Sequence, residues 1–127
     1  KLYTSRFYRL LRSRLRPDGV VSVQSTSPLM ARQSFWCVAT TMEASGFQVR
    51  PYHLSVPSFG VWGFMLASPA ELALPQHTLP GLRHLTDEAM AAMFAFPADM
   101  ARVPTEVNRL DNQVLVQAYT REWKRWS

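Results

Sequence analysis

The sequence predicts an α/β fold in the order helix–strand–helix–strand–strand, followed by a mostly helical tail, on three observations. Residues 4–15 place apolar side chains at 7, 10, 11 and 15, the period of a helix with one buried face. Val20-Val21-Ser22-Val23 is a β-branched run suited to a buried strand. Two further strand-like stretches, 47–54 and 61–67, are joined by a loop too short for a crossover helix, so they must be antiparallel neighbours.

The first helix stops at Pro17-Asp18-Gly19, a turn sequence. After the first strand, Ser25-Thr26-Ser27-Pro28 offers a cap and a first-turn proline for a second helix over 31–44. That helix has Phe35, Val38, Ala39 and Met42 on one face, and Gly46 closes it. Pro51 lies inside the second strand and has no N–H to give a ladder, which predicts an edge strand or a bulge. Val56-Pro57-Ser58-Phe59-Gly60 is the connecting loop. This order is that of the C-terminal half of a Rossmann-like, methyltransferase-type sheet, and a complete sheet needs several βα units before residue 1. Residues 1–68 are expected to form that half-domain, and residues 69–127 a loop and helical extension. In the extension, prolines at 69, 75 and 80 mark a loop to residue 85, and Thr86 caps a helix over 88–95. Pro97 and Pro104 fragment the next stretch, and a last helix is expected over 108–126 with Leu110, Val114, Ala118 and Trp123 facing the protein.

Of the 127 residues, 47% are hydrophobic and 18% charged, the balance of a globular chain long enough for one core. A single cysteine, Cys37, excludes an internal disulfide and fits a reducing, cytoplasmic setting. No apolar run reaches the ~20 residues of a membrane helix. The net charge is +5, and six of the basic residues fall within the first sixteen. Arg6, Arg9, Arg12 and Arg16 share one side of the first helix, opposite Phe7, Leu10, Leu11 and Leu15, so a solvated outer face is expected rather than a nucleic-acid site. The chain begins at Lys1 without a methionine, which suggests sequence upstream. An Arg-rich mitochondrial presequence fits the same residues less well, because they run directly into the first strand.

Ligands of open α/β sheets bind beyond the carboxyl ends of the parallel strands. Here those positions hold Gln24, Ser25, Thr26 and Ser27 after the first strand, and Tyr52, His53 and Ser55 before the Pro57 loop. The set offers an amide, two rings and hydroxyls but no carboxylate, so it orients a polar ligand without supplying a strong anion. His53, His77 and His84 share no spacing that would form a metal site. Cys37 falls inside a predicted helix and reads as packing, as do Trp62 and Phe64 on either side of Gly63. Asp87-Glu88 reads as first-turn helix charge. Glycine-rich phosphate loops, nucleophile elbows and zinc patterns are absent.

Phe7-Tyr8, Leu11, Leu15 and Gly19 before a strand ending in Gln24, then Tyr52, Val56-Pro57, Gly60 and Gly63-Phe64, together resemble the polyamine aminopropyltransferases, the spermidine synthase family. The resemblance covers residues 1–67. The tail, with Phe96-Pro97-Ala98-Asp99-Met100 and Val107-Asn108-Arg109-Leu110, looks like that of a bacterial subgroup whose members often carry membrane helices before the enzyme domain. The resemblance implies transfer of an aminopropyl group from decarboxylated S-adenosylmethionine to an amine such as putrescine. It also implies that the cofactor loop, the ribose-binding acid and the catalytic aspartate lie upstream of residue 1, so this chain binds no cofactor of its own. By the same resemblance Tyr52 takes a supporting catalytic role in hydrogen-bonding the amine and aspartate, while Gln24, Ser25 and Pro57 line the amine side. The match departs from the family at one loop. The family commonly has Pro-Thr-Tyr-Pro-Ser-Gly where this chain has Pro57-Ser58-Phe59-Gly60, a shorter loop without the tyrosine hydroxyl. The expected partners are a small amine, the missing N-terminal half of the same domain, which would pair along the open sheet edge, and a second copy of the chain. An intact protein tethered by upstream membrane helices is the matching localisation. The competing reading is a non-catalytic assembly or ligand-binding module that keeps only the fold remnant.

Overall fold

The computed structural model describes residues 2–75 and 77–126. Lys1, at the start of the stretch that the family resemblance covers, and Gln76, within the expected 69–85 loop, lie outside it. Among the described residues, helices and strands follow in the order α1 (Ser5–Arg14), β1 (Val21–Gln24), α2 (Arg32–Ala44), β2 (Gln48–Val56), β3 (Gly60–Ser68), α3 (Asp87–Met93) and α4 (Val114–Lys124), with a 3₁₀ turn at Ala98–Met100. The helix–strand–helix–strand–strand order and the α/β class are as the sequence predicts.

The sheet has the order β1-β3-β2, with both pairings antiparallel. β1 and β2 therefore run in the same direction, and β3 fills the space between them. β2 pairs on one side only, which is where Pro51 is tolerated, opposite Met65. Strand pairing extends beyond the hydrophobic runs, from Gln48↔Ser68 to Val56↔Gly60, and leaves Pro57, Ser58 and Phe59 as a three-residue tip. Ser58 and Gly60 take positive φ values of 74° and 81° there, the left-handed conformations such a short turn requires. β1 ends opposite Phe64, so the hairpin projects four residues, roughly 13 Å, past the carboxyl end of β1.

One sheet face carries Val21, Val23, Val49, Met65 and Ala67, and helix α2 packs on it with Phe35, Val38, Ala39 and Met42. Burying each of the larger side chains contributes about 1.5–3 kcal/mol, making this layer the main source of stability. Tyr8 of α1 is 1% exposed and joins the same core, edge-on to Phe7 and Tyr3. On α1 the expected apolar face is narrower than its periodicity suggests. Phe7, Leu11 and Leu15 pack against the core, whereas Leu10 is 57% exposed, because Tyr8 takes the inward position one residue off that stripe.

The tail departs from expectation at its last helix. α4 begins at Val114, not 108, because Asn108 and Asn112 commit their side chains to the preceding turn. Asn112 Oδ1 accepts from the Arg109 and Val114 amides, and Gln113 turns left-handed at φ 47°. Leu110 consequently lies in that turn, exposed. Thr86 caps α3 as predicted, accepting from the Ala89 amide.

Gly63 is the tightest point of the sheet. A Cβ there would lie 2.2 Å from a ring carbon of Phe35 and 2.8 Å from the Thr26 carbonyl oxygen. Gly63→Ala is expected to destabilise the fold by about 3 kcal/mol, as a fall in the urea midpoint at constant slope. Tyr8 gives the contrasting case. Its buried hydroxyl has no hydrogen-bond partner among the described residues, and burial holds the phenol far above its ordinary pKa. Tyr8→Phe removes that desolvation cost, so its melting temperature should equal or exceed the parent's, by up to about 1 kcal/mol in stability.

Candidate functional site

A cavity of about 450 Å³ opens at the carboxyl end of β1, lined by Tyr3, Gln24, Ser25, Thr26, Val38, Trp62, Leu115, Val116 and Tyr119. Strand end, hairpin arm, α2 and α4 all contribute. The chain leaves β1 through Ser25, whose amide donates to Gly63 O at 2.8 Å and whose hydroxyl donates back to Val23 O. Thr26 then adopts φ 59°, a left-handed conformation costly for a β-branched residue. It is held there because the Gly63 amide donates to its carbonyl at 2.6 Å. Two buried polar atoms of this lining, the Thr26 hydroxyl and the Trp62 indole N–H, have no hydrogen-bond partner among the described residues. Trp62 forms part of the wall of this cavity. The described lining contains no acid, lysine, arginine or histidine.

The four residues marked out by the sequence are distributed unevenly. Gln24 and Ser25 line the cavity together. The Gln24 main-chain carbonyl accepts from the Tyr3 hydroxyl at 3.0 Å, and the residue is exposed. Tyr52 lies on the same sheet face, in register with Phe64 and through it with Gln24, two strand spacings or about 10 Å away. Its ring stacks on Phe64 at 5.2 Å and tilts against Phe94 at 5.5 Å, and its hydroxyl shares a 2.9 Å hydrogen bond with Ser22. Pro57 sits at the exposed hairpin tip, outside the cavity lining.

Leu115, Val116 and Tyr119 come from a helix more than eighty residues after Gln24, and Tyr3 precedes the Phe7-Tyr8 pair with which the family motif begins. The attachment of α4 is equally hidden in the sequence. The expected Ser25–Pro28 cap serves a separate turn, in which the Ser27 hydroxyl accepts from the Leu29 and Met30 amides. The start of α2 is capped instead by Glu122 of α4. Its carboxylate accepts from the Gln33 amide at 2.7 Å, the Ser34 amide at 2.8 Å and the Ser34 hydroxyl at 2.7 Å. An acid at a helix N-terminus satisfies orphan donors and complements the helix dipole.

Elsewhere, Cys37 is buried and donates to Glu106 O at 3.3 Å, and burial pushes its thiol up, which removes it as a nucleophile at neutral pH. Asp87 is held below the usual carboxylate range, chiefly by the Thr78 amide that donates to it, with His77 and the Thr78 hydroxyl adding to the effect. It ties the loop to α3. No helix among the described residues is long and apolar enough to cross a membrane.

The spermine/spermidine synthase domain matches residues 1–76 of the chain. A polyamine aminopropyltransferase of Leptospira interrogans is 46% identical over 98% of this chain and 25% of its own length. Polyamine aminopropyltransferase 2 of Ralstonia nicotianae is 43% identical over 97% of the chain and 24% of its own. The chain thus spans about a quarter of the curated relatives it matches. In structure, spermidine synthase from Thermotoga maritima aligns over 76% of this chain and 36% of its own, with a TM-score of 0.58 at 24% identity, a likeness of fold. A spermidine synthase in complex with the transition-state analogue AdoDATO aligns equally well, at TM-score 0.58.

Glu122→Ala should cost about 2–3 kcal/mol by urea denaturation, since it strands two amides and a hydroxyl at the start of α2. Glu122→Gln keeps one acceptor oxygen and is expected to lose less than half of that.

Proposed function

Because the chain belongs to the spermine/spermidine synthase family, we propose that the full-length protein is a polyamine aminopropyltransferase and that this chain supplies the acceptor side of its active site. The proposal rests on the cavity at Gln24, where the polar residues Gln24, Ser25 and Thr26 meet apolar walls at a strand's carboxyl end. Such a lining suits an amine whose polar ends are joined by methylenes.

In the reaction, decarboxylated S-adenosylmethionine supplies the propyl carbon beside its sulfonium. The neutral amine nitrogen forms a bond to that carbon while the carbon–sulfur bond breaks, and methylthioadenosine leaves with the electron pair. The proton lost by the nitrogen passes to a base, which we assign to an aspartate of the full-length protein beyond this chain. Residues of this chain orient the amine: Gln24 through its amide, with Ser25 beside it, so that the nitrogen is presented at attacking distance. Tyr52, anchored by Ser22, is assigned the supporting hydroxyl on the neighbouring part of the sheet face. Pro57 belongs, in this reading, to a hairpin tip that reaches toward the rest of the domain. Residues 1–68 are the acceptor half-domain and 69–127 the extension that roofs it. The unpaired edge of β1 takes the strands of the remaining three quarters of the protein.

The full-length protein, given decarboxylated S-adenosylmethionine and putrescine, should form methylthioadenosine and spermidine in equal amounts. Gln24→Ala should raise the amine KM about ten-fold, the loss of one hydrogen bond. Tyr52→Phe should lower kcat by about ten-fold or more. Putrescine binding without any methylthioadenosine would instead identify a non-catalytic ligand-binding module.

A further inference from the structure

Three of the nine residues lining the cavity come from α4, and α4 lies wholly beyond residues 1–76, the stretch matched by the family domain. We propose that α4 is the wall that selects the acceptor amine by chain length, with Leu115, Val116 and Tyr119 as its specificity-determining residues. This rests on the aminopropyltransferase reading above.

Only a fixed wall discriminates by length, and α4 is fixed at three places. The Leu115 amide donates to Asn108 Oδ1 at 3.1 Å, Glu122 caps α2 through three hydrogen bonds, and the Trp126 indole donates to Met30 O at 2.8 Å. Asn108 is itself buried and fixed to the Tyr3 carbonyl and the Thr41 hydroxyl. The helix therefore cannot slide along the cavity without breaking buried, charge-assisted bonds.

The wall is also of the right chemistry. Leu115 and Val116 share a largely apolar lining with Val38 and Trp62, which suits methylenes. The polar side chain of Gln24 lies at the strand end, which suits one nitrogen. Tyr119 is the polar residue that α4 adds to the lining. Distance from the nitrogen at Gln24 to the α4 wall then decides how many methylenes fit. Apolar pockets commonly discriminate about 10–200-fold per methylene.

The test measures kcat/KM of the full-length protein for 1,3-diaminopropane, putrescine, cadaverine and spermidine. Val116→Trp should shift the preference toward shorter amines, changing the long-to-short ratio about ten-fold, and Tyr119→Ala should shift it toward longer ones. Both positions are solvent-accessible at the rim, 60% and 43% exposed, so the variants should fold. If Val116→Trp does not fold, Tyr119→Ala carries the same comparison alone. Transfer that persists with an unchanged ratio in the folded variants overturns the role of α4 while leaving the proposed function intact. Absence of transfer to every amine by the parent protein overturns both.

Discussion

Helix α2 is buried on two sides, and every polar group this hides must find a partner within the chain. Against the sheet it presents Phe35, Val38, Ala39 and Met42. On the other side lie Ser34, Trp36, Cys37 and Thr41, whose polar groups are costly to bury without partners, the thiol least so. The tail answers them one by one. Glu122 takes Ser34, the Met100 carbonyl accepts from the Trp36 indole, the Glu106 carbonyl accepts from Cys37, and the Asn108 amide donates to Thr41. The irregular stretch from 98 to 113 is thus shaped by the donors and acceptors of α2 more than by its own propensities. Arg102, paired with Glu43 and lying 5.5 Å from the Trp36 ring, adds a surface clamp that is worth little by itself.

The same constraint carries through to the candidate site. Asn108 joins the N-terminal segment, α2 and the start of α4 with both backbone and side-chain groups: Ser5 N donates to its carbonyl, and its amide side chain reaches Tyr3 O and Leu115 N. Tyr3 and Leu115 both line the cavity. The bonds that hold the core together therefore also set the distance between the Gln24 side and the α4 side of the pocket. At the other edge, the segment after α3 wraps around β2. Phe94 packs on Tyr52 on one face, Phe96 packs on Phe35 and Trp36 on the other, and His53 donates to Ala95 O between them. The strand edge that Pro51 weakens is covered in this way, while β1 keeps its outer edge unpaired among the described residues.

Much of the fold is legible in the residues because it depends on local pattern. Periodicity locates α1 and α2, β-branched runs locate the strands, and Pro51 marks the edge. The length of the loop fixes the hairpin as antiparallel. Element ends are less legible. The strands continue through polar Gln48 and Ser68 because the β2–β3 ladder pairs those two residues, and hydrogen bonding there outweighs hydropathy. Pattern alone starts the last helix too early, because two asparagines with helix-compatible neighbours turn their side chains onto the backbone instead.

Contiguous residues, spaced by 3.6- and 2-residue periods, are enough to specify the element order, the face of α2 that packs on the sheet and the strand end at Gln24 and Ser25. Three other relations emerge only on packing: Tyr52 lies across Phe64 from Gln24, Glu122 caps a helix 88 residues earlier, and α4 closes the cavity. They join segments with no common period. They are settled by which distant groups can satisfy buried donors and fill apolar space, and that competition is decided only when the whole chain has packed.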